Sequence, residues 1–279
     1  MDKENEYAIA RAAQVIVGAN ALMIAAGAGM GVDSGLPDFR GPEGFWNAYP
    51  AYRHLGLNFI DLANPRWFAE DPALAWGFYG HRMHLYRETE PHAGFQILHR
   101  WAERMKGGAF VFTSNVDGHF QRSGFPESHV HEVHGSIRHA QCLKRCGAGI
   151  FSSADFQVQI DKETFRCVGD LPKCPRCGGS TRPNILMFGD YGWESERSST
   201  QERFLLEWVN RVGGNLAIIE MGAGLGVPTV RGFCEHVAGS LRAPLIRINV
   251  REPEVPPGGI SISLGALAAL QAIDAQLGA

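Results

Sequence analysis

The chain has 279 residues and a mass of 30.5 kDa, with 45% hydrophobic and 20% charged residues. This composition is typical of a globular protein and excludes a disordered, collagen-like or coiled-coil chain. The length favours one large domain that carries a smaller inserted module. A net charge of -3 and the lack of any run of Lys and Arg argue against direct binding to nucleic acid.

The amino terminus and the apolar runs indicate where the protein works. The first residues, MDKENEY, are polar and acidic, unlike a secretory signal. The later apolar runs are too short or too broken by Gly to span a bilayer. We therefore expect a cytoplasmic protein that does not bind membranes. Its oligomeric state stays open.

Alternating strand and helix patterns predict an α/β fold with a Rossmann-like parallel sheet. Short apolar runs predict buried strands at 22–26, 110–113, 216–221 and 245–250. Amphipathic patterns predict helices at 7–18, 73–88, 91–106, 202–211, 230–241 and 264–277. Glycine or short polar residues lie at or directly after the end of each predicted strand. Because ligands bind at the carboxyl ends of parallel strands, these tips predict one shared site.

Two segments interrupt this alternation and predict a second, smaller domain. Residues 41–90 are rich in aromatic residues and Pro, and residues 139–183 hold five of the six cysteines. We expect the Rossmann-like domain to comprise residues 1–40, 91–138 and 184–279. The small domain would combine a cofactor loop and helical module (41–90) with a four-cysteine module (139–183). A cleft between the two domains is the expected ligand site.

Two cysteine pairs have the spacing of a metal site. Cys142 and Cys146 are separated by three residues, and Cys174 and Cys177 by two. Such pairs suit one tetrahedral Zn²⁺ with four thiolate ligands, which leaves no open position and so predicts a structural metal. Free buried thiols are the alternative. Cys167 and Cys234 fall outside this spacing and are expected to be ordinary small apolar residues.

A glycine-rich loop follows the first predicted strand. Its sequence, GAGMGV from Gly27 to Val32, resembles a dinucleotide fingerprint, although Val32 stands where the third Gly is expected. A tight turn that needs glycine is the alternative reading. The sequence that follows completes a longer motif, GAGMGVDSGLPDFRG.

This motif resembles the signature loop of the sirtuin family, NAD-dependent protein-lysine deacylases. Further segments are similar to sirtuin motifs in the same order along the chain. They are TSNVDGHF, EVHGS, the two cysteine pairs, RPNILMFGD, GAG at 222–224 and Asn249. The resemblance covers nearly the whole chain.

The resemblance implies an enzyme that uses NAD as co-substrate and carries a structural Zn²⁺. Acylated-lysine proteins or peptides would be its partners, and nicotinamide and an O-acyl-ADP-ribose its products. His134 would be the general base, with Asn115 and Asp117 in the catalytic centre. The implied cofactor-binding residues are Gly27, Ala28, Gly29, Asp38, Phe39, Arg40, Ser114, Asn115, Asp117, Gly222, Gly224 and Asn249.

Structural, metal-binding or turn roles are the alternatives for these polar residues. His134 lies in a run with His129, His131 and His139, where a histidine is more often structural, and His129 with His131 could also bind a metal. A neutral imidazole can accept a proton at cytosolic pH, which agrees with the role that the resemblance implies. Asn115 could be a turn residue after a strand.

Tyr79 and Arg82 lie one helical turn apart, on one face of the predicted helix. They resemble the pair with which desuccinylase and demalonylase sirtuins bind the acyl carboxylate. A guanidinium suits a planar carboxylate, so we expect a preference for succinyl- or malonyl-lysine alongside possible deacetylase activity. The alternative is an exposed amphipathic helix face.

The sequence departs from the family pattern at several positions. Ser114 replaces a Gln, Gly31 a common Ser, and Asp190 the Glu of an FGE motif, while Ala223 and Gly224 replace the Thr and Ser of GTS. Ser114 keeps open a mono-ADP-ribosyltransferase or NAD hydrolase. A non-catalytic NAD-sensing scaffold is a second alternative.

Overall fold

The computed structural model describes residues 2–37 and 41–278. The helices are α1 (Lys3–Gly18), α2 (Gly29–Val32), α3 (Gly41–Ala48), α4 (Pro50–His54), α5 (Phe59–Leu62), α6 (Trp67–Glu70), α7 (Pro72–Glu88), α8 (Ala93–Arg104), α9 (His119–Arg122), α10 (Glu196–Val212), α11 (Thr229–Leu241) and α12 (Ala266–Gln276). The strands are β1 (Ala21–Ala26), β2 (Ala109–Thr113), β3 (Val130–Glu132), β4 (Gly135–Cys142), β5 (Phe151–Ser152), β6 (Gln159–Ile160), β7 (Cys167–Val168), β8 (Thr181–Ile185), β9 (Leu216–Met221), β10 (Leu245–Ile248) and β11 (Ile260–Ile262). Within the described ranges, none of these helices combines the length and apolar character needed to cross a bilayer.

A parallel sheet of six strands forms the centre of the molecule. Its strand order is β11-β10-β9-β1-β2-β3, and every neighbouring pair is parallel. Every residue of β1, β2 and β9 is buried, as expected for strands covered on both faces. Helices α1, α8 and α12 pack on one face and α10 and α11 on the other. The predicted α/β, Rossmann-like fold is therefore confirmed.

Several element bounds differ from those predicted, each for a local reason. Strand β10 ends at Ile248, because the Asn249 carboxamide oxygen accepts the main-chain N–H groups of Arg251 and Glu252 and turns the chain. Helix α10 begins six residues before the predicted start, in a polar segment without apolar periodicity. The buried residues Ser198 and Gln201 of that segment bond instead to the main chain of Glu132. Strands β3 and β11 are too short for a pattern to reveal.

The two interrupting segments share one hydrophobic cluster. Aromatic residues of α3 to α7 pack there with residues of β4, β7 and β8 and the loops between them. Strands β5, β4 and β8 form a small antiparallel sheet, and β6 pairs with β7. The Tyr52 hydroxyl donates to the Phe165 carbonyl at 2.7 Å, which joins the two segments directly. The two-domain division and its boundaries stay a prediction.

Helix α7 lies closely against the β6–β7 hairpin because two of its residues are glycines. A Cβ on Gly77 would lie 2.0 Å from the Phe165 carbonyl oxygen, and one on Gly80 would lie 2.5 Å from Val158. No side chain larger than hydrogen fits at either position without a shift of the main chain or of Val158. The hairpin thus sets the position of α7.

The loops that follow β1 and β9 touch backbone to backbone. Gly29 donates its main-chain N–H to the Gly222 carbonyl at 3.0 Å, and Gly27 donates to the Met221 carbonyl at 2.9 Å. A Cβ on Gly29 would lie 2.7 Å from the Gly222 Cα. Gly222 also has a φ of +60°, a conformation that disfavours other residues. Both features explain why glycine recurs in both loops.

We predict that Gly222→Ala lowers the free energy of unfolding by about 1–3 kcal/mol, because its Cβ would lie 2.4 Å from the Met30 nitrogen in a strained conformation. Gly239→Ala is the matched control, since Gly239 lies on helix α11 with nothing within 4 Å of an added Cβ. That control should gain about 0.5–1 kcal/mol. Urea unfolding measures both variants, and equal stability of the two would contradict the proposed constraint.

Candidate active site and metal centre

The predicted site residues after β1, β2 and β9 form one hydrogen-bonded edge. The Asn115 side-chain amide donates to the Gly27 carbonyl at 3.0 Å, and the Ser114 N–H donates to the Ala26 carbonyl at 3.2 Å. Asn115 therefore connects the tip of β2 to the glycine loop, as well as lying in a turn. Asp38, Phe39 and Arg40 lie outside the described residues.

Asn249 lies at the same edge, beside the second glycine loop. Its side-chain amide donates to the Ala223 carbonyl at 2.8 Å, and only 6% of the residue is exposed. Ala223, which replaces the Thr of the family motif, is itself buried. Gly222 and Gly224 therefore form part of a loop that is held by main-chain contacts on one side and by Asn249 on the other. Binding of a cofactor by these residues stays a prediction.

His134 lies between β3 and β4, next to Gly135, whose φ is +76°. Its Nε2 lies 3.4 Å from the Thr229 hydroxyl at the start of α11. Burial lowers the pKa of His134, against the opposing effect of a hydrogen bond to the main chain of Ser114. The imidazole is thus neutral and able to accept a proton near pH 7.

Thr229, whose hydroxyl contacts the His134 ring, carries no signal in the sequence that would have identified it.

Asp117 is buried, with 8% of the residue exposed. Its Oδ1 accepts the main-chain N–H of His119 at 2.8 Å, which fixes the carboxylate at the start of α9. Asp117 also lines a cavity of about 260 Å³, together with Met83, Tyr86 and Ile137. The cavity places the tip of β2 next to helix α7.

Tyr79 and Arg82 are buried on α7, with 1% and 7% of each residue exposed. The alternative of an exposed helix face is therefore wrong. Burial raises the pKa of Tyr79 to about 12, although the positive charge of Arg82 opposes the shift, so the phenol is protonated and can donate. The Arg82 Nε donates to the Tyr86 hydroxyl at 3.0 Å. No motif in the sequence identified Tyr86 as a site residue.

Asp190 and His131, two further polar residues that the sequence singled out, have structural partners. The buried carboxylate of Asp190, which replaces the family Glu, pairs with the buried guanidinium of Arg182. The ring of His131 lies 3.1 Å from the Ser198 hydroxyl, and burial lowers its pKa to about 4. Metal binding by His129 and His131 has no support in the described part of the chain, where only cysteines cluster at ligand spacing.

The four paired cysteines converge as predicted. The sulfur atoms of Cys142, Cys146, Cys174 and Cys177 all lie within 4.8 Å of one another. The Cys142–Cys177 and Cys146–Cys174 sulfur distances are 3.7 and 3.6 Å. Four thiolates about 2.3 Å from a tetrahedral Zn²⁺ would be about 3.8 Å apart, so the cluster fits this metal.

The thiols of the cluster differ in pKa, and burial together with the neighbouring thiols raises that of Cys146 to about 12. Hydrogen bonds from the main chain of Cys177 and Arg176 lower the pKa of Cys174 to about 7, against the effect of burial. Thiolate is the form that binds zinc. Cys167 and Cys234 are buried elsewhere and do not belong to the cluster. A structural Zn²⁺ held by four cysteines therefore agrees with the geometry of the cluster.

Comparison with known proteins identifies the family. A model described as the Sir2 family matches residues 27–207. The chain belongs to the Sir2 family. It is 30% identical over 246 residues to NAD-dependent protein deacylase 2 of Pyrobaculum aerophilum, covering 88% of this chain and 86% of that protein. It is also 30% identical over 258 residues to an NAD-dependent protein deacylase of Thermus thermophilus, covering 89% and 87%.

Two further matches concern a vertebrate relative and a solved structure. Over 184 residues the sirtuin is 33% identical to the mitochondrial NAD-dependent protein deacylase sirtuin-5 of Danio rerio, covering 61% of this chain and 57% of that protein. The crystal structure of a Sir2 homologue–NAD complex matches with a TM-score of 0.70 at 24% identity, covering 96% of this chain and 93% of that one. This structural likeness supports the fold.

We predict that Cys174→Ser lowers zinc content well below one equivalent and increases amide hydrogen exchange across residues 142–180, because three thiolates hold the metal less tightly. Cys167→Ser is the matched control, since it exchanges a buried cysteine outside the cluster. Metal analysis and hydrogen exchange measure the two effects. Full zinc content in Cys174→Ser would refute the four-cysteine assignment.

Proposed function

We propose that this Sir2-family enzyme, an NAD-dependent protein deacylase by class, removes acyl groups from lysine side chains. Its products would be nicotinamide and an O-acyl-ADP-ribose. The main support is a neutral, half-buried imidazole directly after β3, at the carboxyl edge of the sheet where Asn115 and both glycine loops also lie. The relatives that carry deacylase names agree with this activity.

The arrangement at this edge suits NAD. A glycine-rich turn between β1 and α2 of a parallel sheet is the position at which Rossmann folds hold a pyrophosphate. We assign the pyrophosphate to Gly27–Gly29 and Gly222–Gly224, the nicotinamide amide to Asn115 and Asp117, and the adenosine to Asn249. NAD supplies the electrophilic ribose carbon to which the acyl oxygen is transferred.

His134 is the proposed general base. Its contact with the hydroxyl of Thr229 restricts the orientation of the ring. Desolvation lowers the pKa of the imidazole and keeps it neutral near pH 7, so it can take a proton from a ribose hydroxyl.

Acylated-lysine proteins or peptides are the proposed substrates, with a preference for succinyl or malonyl groups. A buried guanidinium and a buried, protonated phenol lie together on α7. A guanidinium carries five N–H donors in a planar arrangement that suits a carboxylate, and the Tyr79 phenol can add a further donor.

We do not retain the two alternative functions. The imidazole, amide and carboxylate that deacylation needs are all present at one edge of the sheet, which disfavours a scaffold. The relatives that carry deacylase names favour deacylation over the transferase or hydrolase that Ser114 had kept open.

We predict that His134→Ala lowers kcat for every acyl substrate by about 10²- to 10⁴-fold, because it removes the general base. In the unsubstituted enzyme the lowered pKa keeps the base neutral, so kcat should hold as the pH falls through 6.5 and decline only below it. Thr229→Val, which removes only the hydroxyl contact, is the graded control and should lose far less activity. A decline centred above pH 7 would contradict the assignment.

We predict that Arg82→Met lowers kcat/KM for succinyl-lysine peptides by about 10- to 100-fold and affects acetyl-lysine peptides much less. Arg87→Met is the matched control, because Arg87 lies on the same helix but donates to the carbonyls of Ser153 and Phe156. Release of nicotinamide from each peptide provides the measurement. An equal loss for both acyl groups would reject the selectivity.

A further inference from the structure

One side chain that no sirtuin motif marks, Tyr86, lies directly against the guanidinium of Arg82. Its hydroxyl accepts hydrogen bonds from both Nε and Nη2 of Arg82, and the Nε distance is 3.0 Å. The two residues are four positions apart on α7, a spacing that brings side chains of a helix into contact. Both are buried, with 6% and 7% exposed.

Aromatic rings of the described residues also lie around this guanidinium. The Arg82 Cζ lies 5.4 Å from the ring centroid of Phe59, 5.3 Å from that of Phe78 and 6.0 Å from that of Tyr79. Ring faces attract a cation without fixing its rotation. A phenol oxygen that accepts from two donors fixes both the plane and the rotation of a guanidinium.

Tyr86 is itself anchored from the other side. Its main-chain carbonyl accepts a hydrogen bond from Arg122 Nη1 at 2.9 Å, and Arg122 also bonds to the Thr89 carbonyl. The last turn of α7 is thereby tied to helix α9. Tyr86 can therefore hold Arg82 in one orientation before any substrate arrives, which lowers the entropic cost of binding.

Tyr86 also separates Arg82 from the cavity that Asp117 lines. Tyr86, Met83, Asp117 and Ile137 all contribute to its wall, whereas Arg82 does not. If the Tyr86 ring were removed, a longer acyl chain could extend into this cavity, whose wall includes the cations Arg87, Arg122 and Arg138. The ring of Tyr86 would thus limit the length of the acyl chain.

We propose that Tyr86 is a positioning and specificity-determining residue, which orients Arg82 for the acyl carboxylate and limits the acyl length. This inference rests on the acyl preference proposed above. Two substitutions separate its two parts. Tyr86→Phe keeps the ring and removes the acceptor, whereas Tyr86→Ala removes both.

The experiment compares acetyl-, succinyl- and adipoyl-lysine peptides with NAD. Tyr86→Phe should raise KM for the succinyl peptide about 10-fold while kcat changes little, and should affect the acetyl peptide far less. Tyr86→Ala should show the same loss and a several-fold higher kcat/KM for adipoyl-lysine than the unsubstituted enzyme. A succinyl KM unchanged in Tyr86→Phe, or equal losses with succinyl and acetyl peptides, would overturn the orienting role. No gain for adipoyl-lysine would overturn the length limit.

Tyr52→Phe is the matched control. It also removes a buried phenol hydroxyl with a hydrogen bond, to the Phe165 carbonyl, in the same hydrophobic cluster. Its thermal stability should fall as in Tyr86→Phe, and its ratio of succinyl to acetyl activity should not move. A shift of that ratio in Tyr52→Phe would trace the effect to general loss of packing.

A separate readout distinguishes failure of this inference from failure of the acyl preference. The Arg82 Nε–H NMR signal, assigned by its loss in Arg82→Lys, should shift and broaden in Tyr86→Phe but not in Tyr52→Phe. An unsubstituted enzyme without preference for succinyl-lysine would refute the acyl assignment, while the NMR shift would still support the orienting contact. An unchanged NMR signal in Tyr86→Phe would refute the contact itself.

Discussion

The close approach of two main-chain loops at the carboxyl edge of the sheet is the constraint on which the site depends. Strands β1 and β9 are neighbours, and their exits can meet only because glycine stands at the points of contact. Asn115 reaches one of these loops and Asn249 the other. The positions of the proposed cofactor groups thus follow from a contact that tolerates no side chain.

Local pattern predicted the parts of this protein that are long and apolar. The buried strands β1 and β9 appear in the sequence as apolar runs, and the 17-residue helix α7 appears as a helix-like segment. The first turns of α10 were not predictable, because their buried Ser198 and Gln201 are polar and gain their burial from bonds to another strand. Hydrophobic periodicity indicates where apolar side chains are buried. It does not reveal buried polar side chains whose hydrogen bonds are satisfied by another part of the fold.

In the candidate site, too, some features were predictable from the sequence and others were not. Spacing alone predicted the cysteine cluster, since metal geometry restricts where ligands can stand in a sequence. The pairing of Tyr79 with Arg82 was also visible, but not its burial or the contact with Tyr86, which depend on how α7 packs. Thr229 was invisible because nothing in sequence brings residue 229 to residue 134; the fold does so by placing the start of α11 at the edge of the sheet.

The position of the β6–β7 hairpin gives the metal an influence beyond its own ligands. The hairpin lies between Cys146 and Cys174, so a bound ion would close this 28-residue span into a loop and reduce the freedom of everything within it. Helix α7 packs closely against the same hairpin at Gly77 and Gly80. Removal of the metal by a chelator should therefore loosen the packing beneath α7, the helix proposed to bind the acyl group, and recognition of the modified lysine would weaken although no group that touches it had changed.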